Sequence, residues 1–328
     1  MANLFLKKIF GVLQSTQKVE ARDNQLLTDL IHYKRFEGSE EYAEYKRLFG
    51  LVNSPEFKER RKNRKKQTAE QLVADDDLEA QLRHIAESED GKFFLSTNPR
   101  KFRRIENLVV YKKDNFEYKN LDDSLWKAGF YYTNPKLLTV HSLSNELQAN
   151  MGGKNVVFNH GLSILTKKAQ VRATAWGPKR GFEEREFQYT SDVVNGCGLV
   201  TEEYCGIRIK MRCSGKVNHA FWLSSGEKIP QINVALIKGK TIEMGVYDAR
   251  GDYYYTRVKG LNPSKYYIYS IYQKDGKLIW KINNITVFKT KNIIAGRRFF
   301  PCLSSFIPDT QKNPSEGRFD VEWIEVYR

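Results

Sequence analysis

Metal binding needs His, Cys or carboxylate ligands at short fixed spacings, and nucleophilic catalysis needs a Ser or Cys set in order with a His and an acid. His141, His160 and His219 are scattered without such a spacing. Cys197, Cys205 and Cys213 stand eight apart with Cys302 far downstream, and the four include no C-x-x-C pair. No Ser-His-Asp order and no Gly-rich phosphate loop is present. The expectation is no metal, no nucleotide and no other cofactor. The cysteines then serve as reduced core fillers, although an even count also permits two disulfides in an oxidising compartment.

Two further stretches carry residue types that contact ligands. Lys58 to Lys66 is the most basic run of the chain and would neutralise phosphates if presented on one face. No aromatic residue interleaves it, and a charge run on a helix also serves as a solvated face, so nucleic acid is the lesser expectation. In Gly251 to Thr256, alternation sends Tyr254 inward and Tyr253 and Tyr255 outward, a pattern equally suited to binding and packing.

These residues sit in two textures. From about residue 20 to 105 helix formers dominate, and capping chemistry marks the starts. Ser54-Pro55-Glu56 supplies an N-cap hydroxyl, a proline at the first helical position and an acid near the positive helix end. Thr68-Ala-Glu-Gln71 fits a capping box, and Ser39-Glu-Glu-Tyr42 is a weaker cap of the same sense. With Ser88-Glu-Asp before Phe93-Phe94, these caps hint at a degenerate helical repeat, a pattern three loose copies also produce by chance.

After residue 107 short β-type runs alternate at period two, among them Val156–Phe158, Ile207–Met211, Ile232–Ala235, Tyr266–Tyr272 and Leu278–Ile282, with an Asp-Gly hairpin turn at Lys274–Lys277. Turns every eight to twelve residues are the mark of a sandwich or jelly roll. With 328 residues and 41% hydrophobic content the chain can bury a core in each of two domains. The predicted architecture is a helical region, residues 1–105, followed by an all-β jelly-roll sandwich, residues 108–328.

In order, the β runs resemble glycoside hydrolase family 16, the concanavalin A-like glucanases. The resemblance covers Phe116 with Leu121–Trp126, Asn155–Ile164, Tyr189–Ser191, Tyr204–Lys210, Ala220-Phe-Trp-Leu223 and Phe319–Tyr327. The family's catalytic strand reads Glu-Ile-Asp-Ile-x-Glu-x-x-Gly, and the matching segment is Gln231 to Gly239. The resemblance therefore implies that Gln231 replaces the nucleophile, Asn233 the assisting aspartate and Leu236 the acid/base. Retaining hydrolysis needs two carboxyl groups about 5 to 5.5 Å apart, and neither an amide nor a leucine replaces them. No catalytic residue is expected.

The amides keep the hydrogen-bonding capacity of the acids, which suits a hydroxyl-rich ligand and equally a relic cleft. Trp222, on the family's cleft strand, and Trp176, in the loop Ala175-Trp-Gly-Pro-Lys-Arg180, are the expected sugar platforms, since a pyranose face packs on a flat ring. Trp126, Trp280 and Trp323 are expected in the core. Glu227, just upstream in Ser224-Ser-Gly-Glu-Lys-Ile-Pro230, is the candidate substitute acid of a rescue reading, although a loop carboxylate also serves simply as a solvated group.

The formal charge of +15 divides as +3 for residues 1–107 (21 Lys+Arg, 18 Asp+Glu) and +12 for the rest (33 and 21). It suits an anionic partner or solubility alike. The stretch Leu4 to Leu13 is too short to span a membrane and reads as an amphipathic helix for a partner or a membrane surface. No signal peptide is recognised, and a cytoplasmic or cytoplasmically assembled location is expected. The leading functional expectation is a non-catalytic glycan binder tethered to an assembly by its helices. The others are a divergent endoglucanase or laminarinase with relocated acids, and a purely structural component of a particle.

Overall fold

The computed structural model describes residues 2–3, 12–105, 110–134, 136–199, 206–227 and 229–327. Most of the Leu4–Leu13 stretch, and Cys205, lie outside the described residues. The chain divides into two compact units, Glu20–Asn107 and Met1–Val19 with Leu108–Arg328.

Capping chemistry sets the helices. Ser39, Ser54 and Ser88 each accept a hydrogen bond from the backbone N–H three residues on, opening α2 (Glu40–Val52), α3 (Pro55–Lys62) and α5 (Glu89–Ser96). Thr68 and Gln71 form a reciprocal capping box ahead of α4 (Ala69–Glu87). These helices and α1 (Thr16–Glu37) enclose a small aromatic core of Tyr33, Phe36, Leu48, Ile85, Phe94 and Phe102.

The basic run has a partner within its own unit. Arg60 pairs with Asp75 at 2.8 Å, Arg61 with Asp76 at 2.7 Å and Glu79 at 2.5 Å, and Arg64 with Asp76 at 2.9 Å. Its three arginines thus fasten α3 and the turn after it to the acidic face of α4, which removes the strongest phosphate-binding groups from the run.

The β unit begins with β1 (Ala2–Asn3), β2 (Val110–Asp114), β3 (Lys127–Ala128), β4 (Ser142–Leu143), β5 (Gln148–Asn150), β6 (Val156–Phe158), β7 (Leu162–Gly177), β8 (Gly181–Ser191) and β9 (Val193–Asn195). It continues with β10 (Gly206–Gly215), β11 (Asn218–Ser224), β12 (Gln231–Lys238), β13 (Thr241–Tyr247), β14 (Tyr253–Lys259), β15 (Tyr267–Lys274), β16 (Lys277–Ile282), β17 (Ile285–Lys291), β18 (Phe300–Phe306) and β19 (Gly317–Tyr327). Among the described residues one sheet runs β1-β14-β13-β12-β11-β18-β9-β3, and the other is built around β17-β16-β15-β10-β19-β7-β8-β5. The expected Asp-Gly turn joins β15 to β16, with both Asp275 and Gly276 at positive φ as a type I′ turn requires.

The inward faces of the two sheets share one apolar core that includes Trp126 and Trp280, both fully buried. Trp323 corrects the expectation in part. In β19 a bulge opposite Lys210 and Met211 changes the parity of the strand, so Phe319, Val321, Ile324 and Val326 enter the sandwich core while Trp323 packs outside it against Val19 and Ile268. Tyr254 takes the inward face as alternation expects, opposite Val246 of the core, yet its side chain is 44% exposed because β1 pairs only with Val258 and Lys259 and leaves the sheet edge uncovered at Tyr254.

The first residues of the chain depart from the expected boundary. Leu13 joins the sandwich core, Thr16 Oγ1 donates to the Tyr266 carbonyl at 2.6 Å, and the Asn283 amide donates to the Gln14 carbonyl at 3.1 Å. Residues up to Val19 therefore belong to the β unit. All five tryptophans also lie there. Val19→Asp places an acid in the first turn of α1, where the helix dipole favours it, yet buries an unpaired charge against Trp323. Denaturation followed by tryptophan emission should show a loss on the order of 3 kcal/mol. An unchanged midpoint would place Val19 outside the fold of the β unit.

Candidate functional site

A regular strand would send Gln231 and Asn233 to one face and Leu236 to the other. In β12 the ladder is broken by a bulge. Against β11, Asn233 faces Trp222 and Ala235 already faces Phe221, while against β13 the register jumps from Asn233 opposite Gly245 to Leu236 opposite Glu243. The extra residue returns Leu236 to the face of Gln231 and Asn233, and Ile232, Val234, Ala235 and Ile237 all enter the core. The broken ladder is compensated across the sandwich: the Trp280 indole donates its N–H to the Asn233 carbonyl at 3.0 Å.

Gln231, Asn233 and Leu236 therefore line one cavity of about 220 Å³ together with Trp222. Trp222 is half-buried and its indole N–H donates to Ser304 Oγ at 3.2 Å, fixing the ring beside the amides. Gln231 Nε2 donates to Asn233 Oδ1 at 2.9 Å, Asn233 Nδ2 donates to the Tyr253 hydroxyl at 3.0 Å, and that hydroxyl donates to Glu243 Oε1 at 3.2 Å. Glu243 is itself held by Arg257 at 3.2 Å and Lys238 at 3.4 Å. The relay has one direction. An amide at 233 leaves Tyr253 free to donate to Glu243, whereas a carboxylate there would compete for that proton.

The tyrosines flank this strand. Tyr247, Tyr253 and Tyr255 stack with centroids 4.0 and 4.6 Å apart and planes within 9°. Gly245 makes room, since a Cβ there would stand 2.5 Å from the Cβ of Tyr255. Burial pushes the Tyr253 hydroxyl far above its ordinary pKa, keeping it a neutral link in the relay.

Trp176 is not among the residues lining the cavity. The turn it was expected to ride on begins later. Trp176 is the penultimate residue of β7, paired with Phe182 across the β7–β8 hairpin and with Leu143 in β4, and it is Leu143 that lines the cavity. Glu227 does not line it either, and stays exposed at 4.0 Å from Arg297. The histidines are apart: His141 accepts from or donates to Tyr132 at 2.8 Å, His219 bridges Ser305 and the Ser214 carbonyl, and His160 occupies a left-handed turn.

One cavity residue escapes sequence reasoning. Glu146, in the short segment between β4 and β5, is 7% exposed and is the only carboxylate among the described lining residues. Its Oε2 accepts from Leu143 N–H at 3.2 Å and Gln148 Nε2 at 2.8 Å. Burial outweighs these bonds and lifts its pKa from 4.5 to about 7. Nothing in the sequence around Ser144-Asn-Glu146 signals this, because burial comes from distant chain such as Pro308, its bridge partner.

No family model and no curated protein matches this sequence. Solved structures do. The chain is similar to the catalytic domain of an endo-1,3-β-glucanase (laminarinase) from Thermotoga petrophila RKU-1, at 16% identity and a TM-score of 0.52 over 67% of this chain and 98% of that one. It is similar to endo-β-1,3-glucanase from Pyrococcus furiosus, at 14% and 0.53 over 67% and 94%. It is also similar to SCLam, a non-specific endo-β-1,3(4)-glucanase from family GH16, at 18% and 0.53 over 68% and 92%. The β unit is thus a jelly roll of the family 16 glycoside hydrolase type, with a helical region on its N-terminal side.

Glu146 gives a signed test. Its folded pKa lies above the unfolded value, so the folded state holds the extra proton between about pH 4.5 and 7, and stability is lost as pH rises through that window. The shift corresponds to about 3 kcal/mol as an order of magnitude. His219, whose pKa burial lowers from 6.5 to about 4, acts in the opposite sense and flattens the profile of the parent. The difference in unfolding free energy between Glu146→Gln and the parent isolates the carboxylate, and should shift in favour of the variant by about that amount from pH 4.5 to 8. A difference independent of pH would mean that Glu146 is solvated.

Proposed function

We propose that this chain holds a carbohydrate in the β12 cavity without hydrolysing it. The observation that carries the reading is that the β12 bulge brings Gln231, Asn233 and Leu236 to one lining beside Trp222; these are the residues that the sequence resemblance aligns with the carboxylates of the family 16 strand. The amides offer donors and acceptors in the plane of a sugar ring, and the indole offers a flat face. Hydrolysis of this type needs two carboxyl groups at the sugar. Among the described lining residues there is one, Glu146, while Glu243 is committed to Arg257 and Lys238 and Glu227 lies outside. This weighs against an endoglucanase with relocated acids.

The helical unit fits the role of a tether to a protein partner. It leaves Leu27, Ile31, Phe49, Leu51, Val73 and Leu95 exposed, apolar surface of the kind that interfaces cover. Its basic run, with the arginines engaged, does not favour nucleic acid. No described helix is long and apolar enough to cross a membrane.

The full chain should release no reducing sugar from laminarin, lichenan, agarose or carrageenan, and should bind an oligosaccharide from one of these classes in calorimetric titration. Trp222→Ala should weaken that binding by about tenfold, the worth of a stacking ring. Trp323→Ala should lower stability and leave the affinity of the folded fraction unchanged. Turnover by the parent, or equal binding by Trp222→Ala, refutes the proposal.

A further inference from the structure

The cavity has a sign of charge as well as a shape. Its described lining holds one carboxylate, six side chains with neutral polar groups besides Trp222, and no lysine or arginine. The cation nearest in the hydrogen-bond network is Arg185, which donates to the backbone carbonyls of Ser144 and Glu146 and lies over the Phe187 ring at 4.6 Å. It is occupied by main chain and aromatic face. His219 behind Ser305 accepts the Ser305 hydroxyl proton and is held neutral by burial, as burial also lowers His141. Lys238 and Arg257, on the same sheet, are paired with Glu243.

Both hydrogen bonds received by the Glu146 carboxylate fall on Oε2, and Oε1 receives none among the described residues. A carboxylate nine-tenths buried with one open oxygen at a cavity is costly unless a ligand hydroxyl can donate to it, and it repels any anion brought into the same space. The chain as a whole is strongly basic, so its overall charge would draw acidic glycans. The cavity opposes that preference.

We propose that Glu146 is a ligand-contacting, specificity-determining residue that accepts a sugar hydroxyl on Oε1 and restricts the cavity to neutral glycans. The inference rests on the reading of the cavity as a carbohydrate site and adds which class of carbohydrate enters. An anionic sugar group would meet Glu146 with no opposing cation in the lining. A neutral hydroxyl instead supplies the missing donor.

The test is calorimetric titration of the full chain at pH 8.5, where Glu146 is ionised, with four probes: laminaritetraose, a neutral agarose tetrasaccharide, its sulfated carrageenan counterpart and an oligouronate of the same length. The parent should bind at least one neutral probe and neither anionic one. Glu146→Gln keeps the size of the side chain and should bind the same neutral probe about tenfold more weakly, the loss expected when a charged acceptor becomes a neutral one. Melting of the variant at the same pH, at or above the parent, shows that the loss is not one of folding. Binding of an anionic probe as tightly as a neutral one overturns the charge filter while leaving carbohydrate binding intact. Undiminished neutral binding by a folded Glu146→Gln overturns the contact. Binding of no probe overturns both this inference and the reading beneath it.

Discussion

The hydrogen bond from the Trp280 indole to the Asn233 carbonyl crosses the sandwich to the one place where the β12 ladder is broken. A bulge in the middle of a sheet frees backbone groups, and a buried carbonyl without a donor costs on the order of 1 to 3 kcal/mol. Trp280, fully buried in β16 of the opposite sheet, supplies that donor. With the bulge secured, Val234 and Ala235 both pack in the core and Leu236 regains the cavity face. Every feature of the site depends on this parity. Without it Gln231 and Asn233 would share a face with Ala235 and Ile237, and Leu236 would be buried on the other side.

The side chains that stand on that scaffold form a polar system of consistent direction. Protons point from Gln231 through Asn233 and Tyr253 to Glu243, whose charge is met by Arg257 and Lys238. Glu243, which pairs with Leu236 across the ladder, is thereby spent inside the protein. Elsewhere in the cavity lining Glu146 has two donors on one oxygen and, among the described residues, none on the other. The first system is self-satisfied, and the second keeps one acceptor without a partner among the described residues.

How far the structure is legible in the sequence depends on the range of the physics. Helix starts are local: Ser39, Ser54, Thr68 and Ser88 each cap a backbone N–H three residues downstream, and every one of these caps is present. The jelly roll is legible because period two and turn spacing repeat many times, and the approach of Gln231, Asn233 and Leu236 because a motif resemblance carries the bulge implicitly. Parity changes elsewhere are not. Alternation buries Trp323 correctly but cannot tell which side of β19 it takes once a bulge intervenes. Pro178 punctuates its segment and suggests a loop around Trp176, although the pairing with Phe182 extends the strand past that residue. Glu146 leaves no local signal, since its burial is made by chain remote in sequence, and the same holds for the assignment of residues 12–19 to the β unit.

The central claim, that the β12 bulge presents an intact glycan to Trp222 and two amides, is tested most directly by a crystal structure of the full chain soaked with laminaritetraose or whichever neutral oligosaccharide titration selects. The account predicts an uncleaved sugar in the cavity, one ring flat on Trp222 and its hydroxyls on Gln231 and Asn233. A cleaved oligosaccharide there, or an intact one bound on another face with the cavity empty, would contradict it.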